Sequence, residues 1–181
     1  RGAGAATGAP LSSSGQAIRF SERDVRPMGR TAGGVRGMRL SGSDRIVGME
    51  LVAKADAKKE GVRLLLVIMK NGYGKRTPVE DYPLQARGGQ GVITFKTYPK
   101  SGELVATRVV NAAHELMLIS VEGIVLRTPV AHISLQGRPT QGVILMDVGD
   151  GDAVAAMAVI DMQREFTGPQ ALPTGATANR E

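Results

Sequence analysis

Short, dense apolar runs separated by glycine-containing turns are the dominant pattern of this chain. Residues 63–69 (RLLLVIM) and 115–120 (ELMLIS) are two such runs, and they lead into turns at Asn71-Gly72 and Glu122-Gly123. Runs of this length that end at turn residues are typical of β-strands joined by tight turns. The pattern therefore predicts an all-β chain of short strands.

Three stretches, residues 15–37, 72–94 and 123–145, are variants of one another. A first marker arginine lies at 19, 76 and 127, a second marker arginine at 30, 87 and 138, and a Gly-Val pair at 34/35, 91/92 and 142/143. The steps are 57 residues (19 to 76) and 51 residues (76 to 127), so the variable lengths fall in connecting loops. We expect one repeat domain over residues 15–162, with units starting near residues 15, 63 and 115.

Each unit is predicted to contain four strands. The Gly-Val pair opens a third strand over 92–96 and 143–147, and a further turn leads into a fourth over 104–110 and 153–159. Residues 46–51 occupy the fourth position in the first unit. The run AVAAMAVID (153–161) is rich enough in alanine to suggest a helix, but its repeat position favours a strand. Four strands per unit is typical of a propeller blade.

The two ends of the chain lack this pattern. Residues 1–14 (RGAGAATGAPLSSS) are predicted to be a linker or the remnant of a preceding blade, with the stub of a strand at 11–13. Residues 163–181 contain Gly-Pro, Leu-Pro and Thr-Gly and no apolar period, which predicts a disordered tail.

Glycines beside the second marker arginine are expected to form sharp bends before the third strand, through positive φ or close backbone approach. These glycines are Gly34, Gly88, Gly89, Gly91 and Gly142.

Charge and composition narrow the function classes. The chain has 181 residues, 23 Lys and Arg against 17 Asp and Glu, and a net charge of +6, so anionic partners are plausible. The first repeat contains six of the arginines, at 19, 23, 26, 30, 36 and 39. On one rim of a repeating scaffold, such side chains would form an arc that follows a phosphate backbone. A solvated basic surface without a partner is the simpler alternative.

No catalytic or metal site is predicted. The segment GYGKRT (72–77) lacks the spacing of a nucleotide-binding loop, and the three tyrosines have no features of a nucleophile site around them. There is no cysteine, the two histidines are isolated, and the D-G-D sequence at 150–152 fits a hairpin turn better than a calcium loop. The chain has no apolar run of 18 residues and is expected to be soluble, without a membrane partner.

The repeats resemble the C-terminal domain of DNA gyrase A, part of a type IIA topoisomerase. The matching runs are GQAIRF…DVRPMGRTAGGVRGMRL, NGYGKRTPVEDY…RGGQGVITFK and EGIVLRTPVAHISLQGRPTQGVILM, within residues 15–160. The resemblance implies a β-pinwheel, a propeller-like disc whose blades exchange strands and whose basic rim wraps duplex DNA. About three four-stranded blades of a normally six-bladed disc are recognisable, so the chain is expected to be a fragment covering the later blades.

The function that the resemblance implies is sequence-nonspecific binding, bending and wrapping of double-stranded DNA. This would support ATP-dependent negative supercoiling by a bacterial, cytoplasmic and nucleoid-associated enzyme. The partners implied are the rest of DNA gyrase A and DNA gyrase B, with no cofactor in this chain and with ATP and Mg bound elsewhere in the holoenzyme. The rim candidates for phosphate contact are Arg19, Arg30, Arg36, Lys75, Arg76, Arg87, Arg127 and Arg138.

One motif departs from the family pattern. The family's basic box, QRRGGKG, has its nearest match at QARGGQG (85–91), where two basic positions are replaced. The departure predicts that this chain binds DNA without wrapping it on its own. The alternatives are the equivalent domain of topoisomerase IV and a protein-interaction propeller that docks acidic partners on its rim.

Overall fold

The computed structural model describes residues 6–52 and 62–161, which fold into antiparallel β-sheets with three short 3-10 turns. The strands are β1 (Thr7–Ser12), β2 (Gln16–Ala17), β3 (Phe20–Ser21), β4 (Ile46–Val52), β5 (Leu64–Met69), β6 (Tyr73–Pro78), β7 (Val92–Ile93), β8 (Leu104–Val110), β9 (Glu115–Ser120), β10 (Val125–Pro129), β11 (Val143–Ile144) and β12 (Val154–Ile160). The 3-10 turns are Glu22–Asp24, Val79–Asp81 and Val130–His132, one in each unit. The all-β prediction is confirmed.

Each unit is built around a central strand that is paired on both sides. In the second unit β5 pairs with β6 and β8, and in the third β9 pairs with β10 and β12. In the first unit β1 pairs with β4 on one side and with the short strands β2 and β3 on the other. A register shift interrupts the pairing with β4, β8 and β12 in all three units. This shared irregularity supports the sequence repeat at the level of structure.

The short strand that follows each Gly-Val pair leaves its own unit. Strand β7 of the second unit pairs with β2 of the first, and β11 of the third pairs with β6 of the second. The second sheet, in the order β11-β6-β5-β8, therefore has three strands of its own and one donated by the next unit. The donated strands are two residues long, shorter than the predicted ranges 92–96 and 143–147.

We call the contact between two successive units a seam. A hydrophobic core fills each of the two seams. Residues of β5 enter both cores, and all six of them are buried. Burial alternates along β9, which has the same repeat position: Leu116 and Leu118 are buried against the second unit, whereas Met117 and Ile119 are only half-buried. Since burying one such side chain contributes about 2 kcal/mol, the two seams hold the units together.

A half-buried carboxylate fixes the turn between β1 and β2. Asp44 Oδ1 accepts hydrogen bonds from Ser13 Oγ (2.8 Å) and Ser14 N (2.9 Å), and Oδ2 accepts one from Ser14 Oγ (2.6 Å). Burial raises the pKa of the Asp44 carboxyl, but hydrogen bonds from Ser14, Ser12 and Ser13 outweigh it and lower the pKa to about 2.

Two predictions about the ends of the repeat domain are resolved. Residues 7–12, predicted to be linker or the remnant of a preceding blade with a strand stub at 11–13, form the longer strand β1, which pairs with β2, β3 and β4 of the first unit. Their small side chains allow close packing: a Cβ on Gly8 would lie 3.0 Å from Met49 Cε. The alanine-rich run forms β12, so the strand and not the helix is correct. Residues 1–5, 53–61 and 162–181, which include the predicted tail, lie outside the described residues.

Four of the five predicted bend glycines have positive φ: Gly34 (77°), Gly88 (84°), Gly91 (84°) and Gly142 (72°). A Cβ on Gly91 or Gly142 would lie closer than 3.0 Å to the carbonyl oxygen of Ala17 or Gly74, respectively. These bends are where a donated strand crosses into the preceding unit. The prediction is wrong for Gly89, which lacks a positive φ and has room for a Cβ at an ordinary contact distance of 3.5 Å.

Candidate nucleic-acid interface

The first marker arginine of the second unit is buried in a seam. Arg76 Nε donates a hydrogen bond to Ile133 O (2.8 Å), and Nη2 donates one to Ala131 O (2.9 Å). The residue is 8% exposed, and burial lowers the pKa of its guanidinium. Both carbonyls belong to the third unit, at or next to its 3-10 turn. Arg76 therefore joins the second unit to the third.

Of the other two first marker arginines, Arg19 also contacts the next unit, whereas Arg127 does not. Arg19 Nη1 donates to Val79 O (3.1 Å) and Tyr82 O (3.3 Å), which are carbonyls around the 3-10 turn of the second unit. Arg127 has no fourth unit to contact among the described residues. Its guanidinium instead pairs with Glu115 on the neighbouring strand, through a bond of 2.6 Å from Nε to Oε2 and a second from Nη2.

Lys75 is also an internal residue. Its side chain is fully buried, and Nζ donates to Gly137 O (2.6 Å), to the carbonyl of Arg138, and to Thr140 Oγ1 (3.0 Å). The ammonium lies 5.8 Å from the centre of the Phe95 ring. Burial, helped by the positive charge of Arg138, lowers the pKa of Lys75 to about 8.

Arg19, Lys75 and Arg76 are therefore not the exposed rim groups that the sequence predicted. Their donors are directed to oxygen atoms within the protein, and phosphates cannot reach the buried Lys75 ammonium. The repeat alignment contained a signal that Lys75 is buried, because its counterparts in the other units are the apolar residues Ile18 and Leu126. A lysine at a position that is otherwise apolar is a candidate for burial.

The second marker arginines have three different environments. Arg30 is exposed, Arg138 is half-buried, and Arg87 donates to two carbonyls of the first unit. Arg87 Nε donates to Asp24 O (2.9 Å) and Nη1 to Arg36 O (3.1 Å). These two carbonyls are twelve residues apart in the sequence, so Arg87 holds together the ends of the intervening loop.

This intervening loop contains the main group of unpaired cations. Residues 25–43, which we call the arginine loop, contain four arginines and no acidic residue. The four are Arg26, Arg30, Arg36 and Arg39; all are exposed, and none forms a salt bridge within the described residues. The site prediction included Arg30 and Arg36 but not Arg26 and Arg39.

Many cations outside the arginine loop lie close to carboxylates. The arginine–glutamate pairs are Arg45–Glu103 (2.8 Å), Arg63–Glu80 (3.9 Å), Arg108–Glu50 (3.9 Å) and Arg127–Glu115. Lys100 shares a cleft with three aspartates, at 147, 150 and 152. Because these charges are partly neutralised in place, the arginine loop is the stretch best suited to attract an external polyanion.

Metal-binding groups and membrane-spanning helices were also sought in the described residues. They contain no group of three or more His, Cys, Asp or Glu side chains arranged to hold a metal ion. Within the same residues, no helix is long and apolar enough to cross a membrane.

Repeated antiparallel blades that exchange a strand with their neighbours define a propeller-like β-pinwheel. The chain belongs to the family described as "DNA gyrase C-terminal domain, beta-propeller", whose model matches residues 11–53, 64–111 and 114–161. The three matched segments coincide with the three structural units. The resemblance identified from the repeats and the predicted fold class are both confirmed.

Curated relatives support the same family. The chain is 42% identical over 144 residues to DNA gyrase A of Staphylococcus epidermidis, covering 80% of this chain and 16% of the relative. It is 40% identical over 156 residues to DNA gyrase A of Dehalogenimonas lykanthroporepellens, covering 83% of this chain and 18% of the relative. The chain thus spans less than a fifth of the length of these relatives.

Two solved structures share the fold. The DNA gyrase A C-terminal domain superposes with a TM-score of 0.74 at 29% identity, covering 85% of this chain and 50% of the solved chain. The C-terminal domain of DNA topoisomerase IV superposes with a TM-score of 0.76 at 20% identity, covering 86% and 46%, respectively. The second comparison shows likeness of fold alone.

Proposed function

We propose that this chain is a duplex DNA-binding and DNA-bending module of a gyrase-type topoisomerase. The observation that carries the proposal is the arginine loop, with four exposed, unpaired arginines and no acidic residue over 19 positions. Such a loop binds phosphates through charge and gains affinity by releasing counterions from the duplex. Binding is expected to be independent of sequence, because phosphate contacts carry no base information.

The loop is held in place by the second unit. Arg87 hydrogen-bonds to the carbonyl of Asp24, just before the arginine loop, and to that of Arg36 within it, and the backbone N–H of Arg39 donates to Gly89 O (2.8 Å). This anchoring lowers the conformational entropy that DNA binding must remove. In this proposal Arg87 positions the loop, whereas Arg30 and Arg36 contact phosphates. Arg138, which is half-buried and has no salt bridge in the described chain, extends the phosphate path onto the third unit.

Membership in the family supports a proposed role for this chain in the whole enzyme. In this role the module works with the rest of DNA gyrase A and with DNA gyrase B. It presents bent DNA to the strand-passage machinery and so supports negative supercoiling. ATP and Mg act elsewhere in that assembly, and this chain supplies binding without chemistry.

Fluorescence anisotropy with a labelled duplex tests the proposal. The test variant changes Arg26, Arg30, Arg36 and Arg39 to Gln. The control variant changes four cations that lie near carboxylates to Gln, and so loses the same net charge: Arg45, Lys70, Lys100 and Arg108.

The loop variant is expected to bind at least about ten-fold more weakly than the control, because each lost phosphate contact removes favourable counterion release. Equal losses in the two variants would refute a dedicated interface. No binding of the unmodified chain, even at low salt, would favour the protein-interaction alternative.

A further inference from the structure

A turn of the third unit, residues 136–140, lies across one face of strand β6 in the second seam. Lys75 and Thr77 are alternate residues of β6, so they share this face, and both are fully buried. Thr77 Oγ1 donates a hydrogen bond to Gln136 O (2.9 Å). Lys75 Nζ donates to Gly137 O (2.6 Å) and to the carbonyl that follows it. Three successive carbonyls of the 136–140 turn therefore point to buried donors of the second unit.

Bonds within the turn restrict its shape further. The Thr140 backbone N–H donates to Arg138 O (2.8 Å), and Thr140 Oγ1 lies 2.8 Å from Gln136 Oε1. Lys75 Nζ donates to the same hydroxyl oxygen (3.0 Å). Pro139 adds a fixed φ. One buried ammonium thus binds three acceptors of a single turn and holds that turn on the neighbouring unit.

Two successive backbone N–H groups of this turn are directed away from β6. No peptide bond in the described part of the chain is cis, so each N–H points opposite to the carbonyl of the preceding residue. The N–H groups of Gly137 and Arg138 therefore point away from Thr77 and Lys75. Neither N–H has an acceptor among the described residues, and the same is true of the Arg138 guanidinium. The turn presents two amides and one guanidinium from adjacent residues.

The charges around the turn favour a bound anion. Burial, followed by the positive charge of Arg138, lowers the pKa of Lys75 to about 8, and Asp81 acts in the opposite direction. Arg138 forms no salt bridge within residues 6–52 and 62–161. An anion beside two neighbouring cations relieves their repulsion. Guanidinium groups and backbone N–H groups are the donors that bind phosphate oxygens in proteins.

The first seam lacks this combination. Its equivalent turn, residues 85–89, lies on the side of Ile18, which is the counterpart of Lys75, is buried and has no side-chain donor. Arg87, the counterpart of Arg138, donates to two carbonyls of the first unit. Both units that form the second seam lie within the described residues, so the difference between the two turns comes from their own side chains.

We propose that Lys75 is a positioning residue, which holds the 136–140 turn so that the N–H groups of Gly137 and Arg138 and the Arg138 guanidinium bind one phosphate of duplex DNA. The inference rests on the proposed function, because it defines a phosphate site within that DNA interface. Lys75 itself does not touch the phosphate. It keeps the three donor groups in one arrangement before DNA arrives, which lowers the conformational entropy that binding must remove.

Nuclear magnetic resonance of the isotope-labelled full chain, titrated with a duplex, tests the site directly. The amide proton resonances of Gly137 and Arg138 should move downfield when the duplex is added, because both amides gain a phosphate acceptor. Lys75→Met retains a long buried side chain but cannot hold the turn carbonyls, so these two shifts should be lost. Ile18→Met is the matched control, since it places the same side chain at the equivalent position of the first seam, and it should keep both shifts.

Fluorescence anisotropy with the same duplex measures the coupling between Lys75 and Arg138. In about 0.1 M salt, Arg138→Gln should weaken binding about eight-fold, which is the effect of releasing one counterion fewer. Lys75→Met should weaken binding at least about three-fold, whereas Ile18→Met should leave it unchanged. The variant with both changes should bind less than about two-fold more weakly than Arg138→Gln alone, because Lys75 acts through the same phosphate site.

The outcomes separate this inference from the proposed function. DNA binding by the unmodified chain, combined with losses that multiply in the double variant or with amide shifts that persist in Lys75→Met, would overturn the positioning role alone. No binding by the unmodified chain would overturn both proposals. If circular dichroism shows that Lys75→Met does not fold, Thr140→Val replaces it. This variant removes one of the three acceptors, so it should show the same coupling to Arg138→Gln with a smaller loss of affinity.

Discussion

Removing the Arg76 side chain should destabilise the protein far more than removing that of Arg127, the corresponding arginine of the third unit. Arg76→Ala eliminates two charged hydrogen bonds, of 2.8 and 2.9 Å, in a site that is 8% exposed. At about 1.5–3 kcal/mol for each hydrogen bond from a charged group, the expected loss is about 3–6 kcal/mol. Arg127→Ala removes an exposed ion pair with Glu115, which is worth about 0–1 kcal/mol.

Urea unfolding followed by circular dichroism measures both losses of stability. With a slope of about 2 kcal/mol/M, Arg76→Ala should lower the midpoint by about 2 M, and Arg127→Ala by less than about 0.5 M. If the alanine variant does not fold, Arg76→Gln replaces it in the test. This variant retains one donor group, so its urea midpoint should lie between those of the unmodified chain and a variant without any donor. Equal midpoints for the two alanine variants would refute the assignment of Arg76 as a link between units.

Three further predictions concern internal charges and seam glycines. The free energy of unfolding should rise by about 2 kcal/mol between pH 8 and pH 10. Lys75 has a pKa of about 8 when folded and 10.5 when unfolded, so the unfolded chain binds more protons in this range. Urea titrations at several pH values check this rise, and Lys75→Met should abolish it. Asp44 has a pKa of about 2 when folded and 3.8 when unfolded, so its contribution of about 1–2 kcal/mol should be present above pH 4 and lost as the pH falls towards 2. Asp44→Asn should remove that acid-dependent contribution in the same titrations, whereas Asp150→Asn at an exposed turn should not. Gly142→Ala should lower the free energy of unfolding by more than about 3 kcal/mol, because the added Cβ would lie 2.6 Å from a backbone oxygen. Gly34 also has a positive φ but lies in open space, so Gly34→Ala should lower it by only about 1–2 kcal/mol. Thermal melts of the two variants compare these losses directly.

The repeat could be predicted from the sequence, but the sheet that each short strand joins could not. Spacing of the arginines and Gly-Val pairs identified three units, and strand periodicity identified their strands. Periodicity reports that a segment is extended and does not report which sheet it joins. The pairing of β7 with β2 depends on contacts between segments that lie far apart in the sequence. The sequence resemblance supplied this feature, whereas the residue pattern alone did not.

The sequence identified the proposed interface only in part, for an identifiable reason. Recurrence in the alignment was interpreted as exposure, but Arg19 and Arg76 recur because each seam needs a donor for the next unit's carbonyls. The exposed charge lies instead in the arginine loop, where the counterparts of Arg26 are Pro83 and Ser134 and only Arg30 is a marker arginine. Recurrence at a position therefore reports a shared place in the blade and does not report whether the side chain is exposed.

The central claim is that the unpaired arginines of the arginine loop bind DNA phosphates. The most direct test is the slope of log association constant against log salt concentration, measured with one duplex for the unmodified chain and for the variant with Gln at positions 26, 30, 36 and 39. The claim predicts a steep negative slope for the unmodified chain, and a slope shallower by about 0.9 for each of the four arginines that contacts a phosphate. Two equal slopes would contradict it.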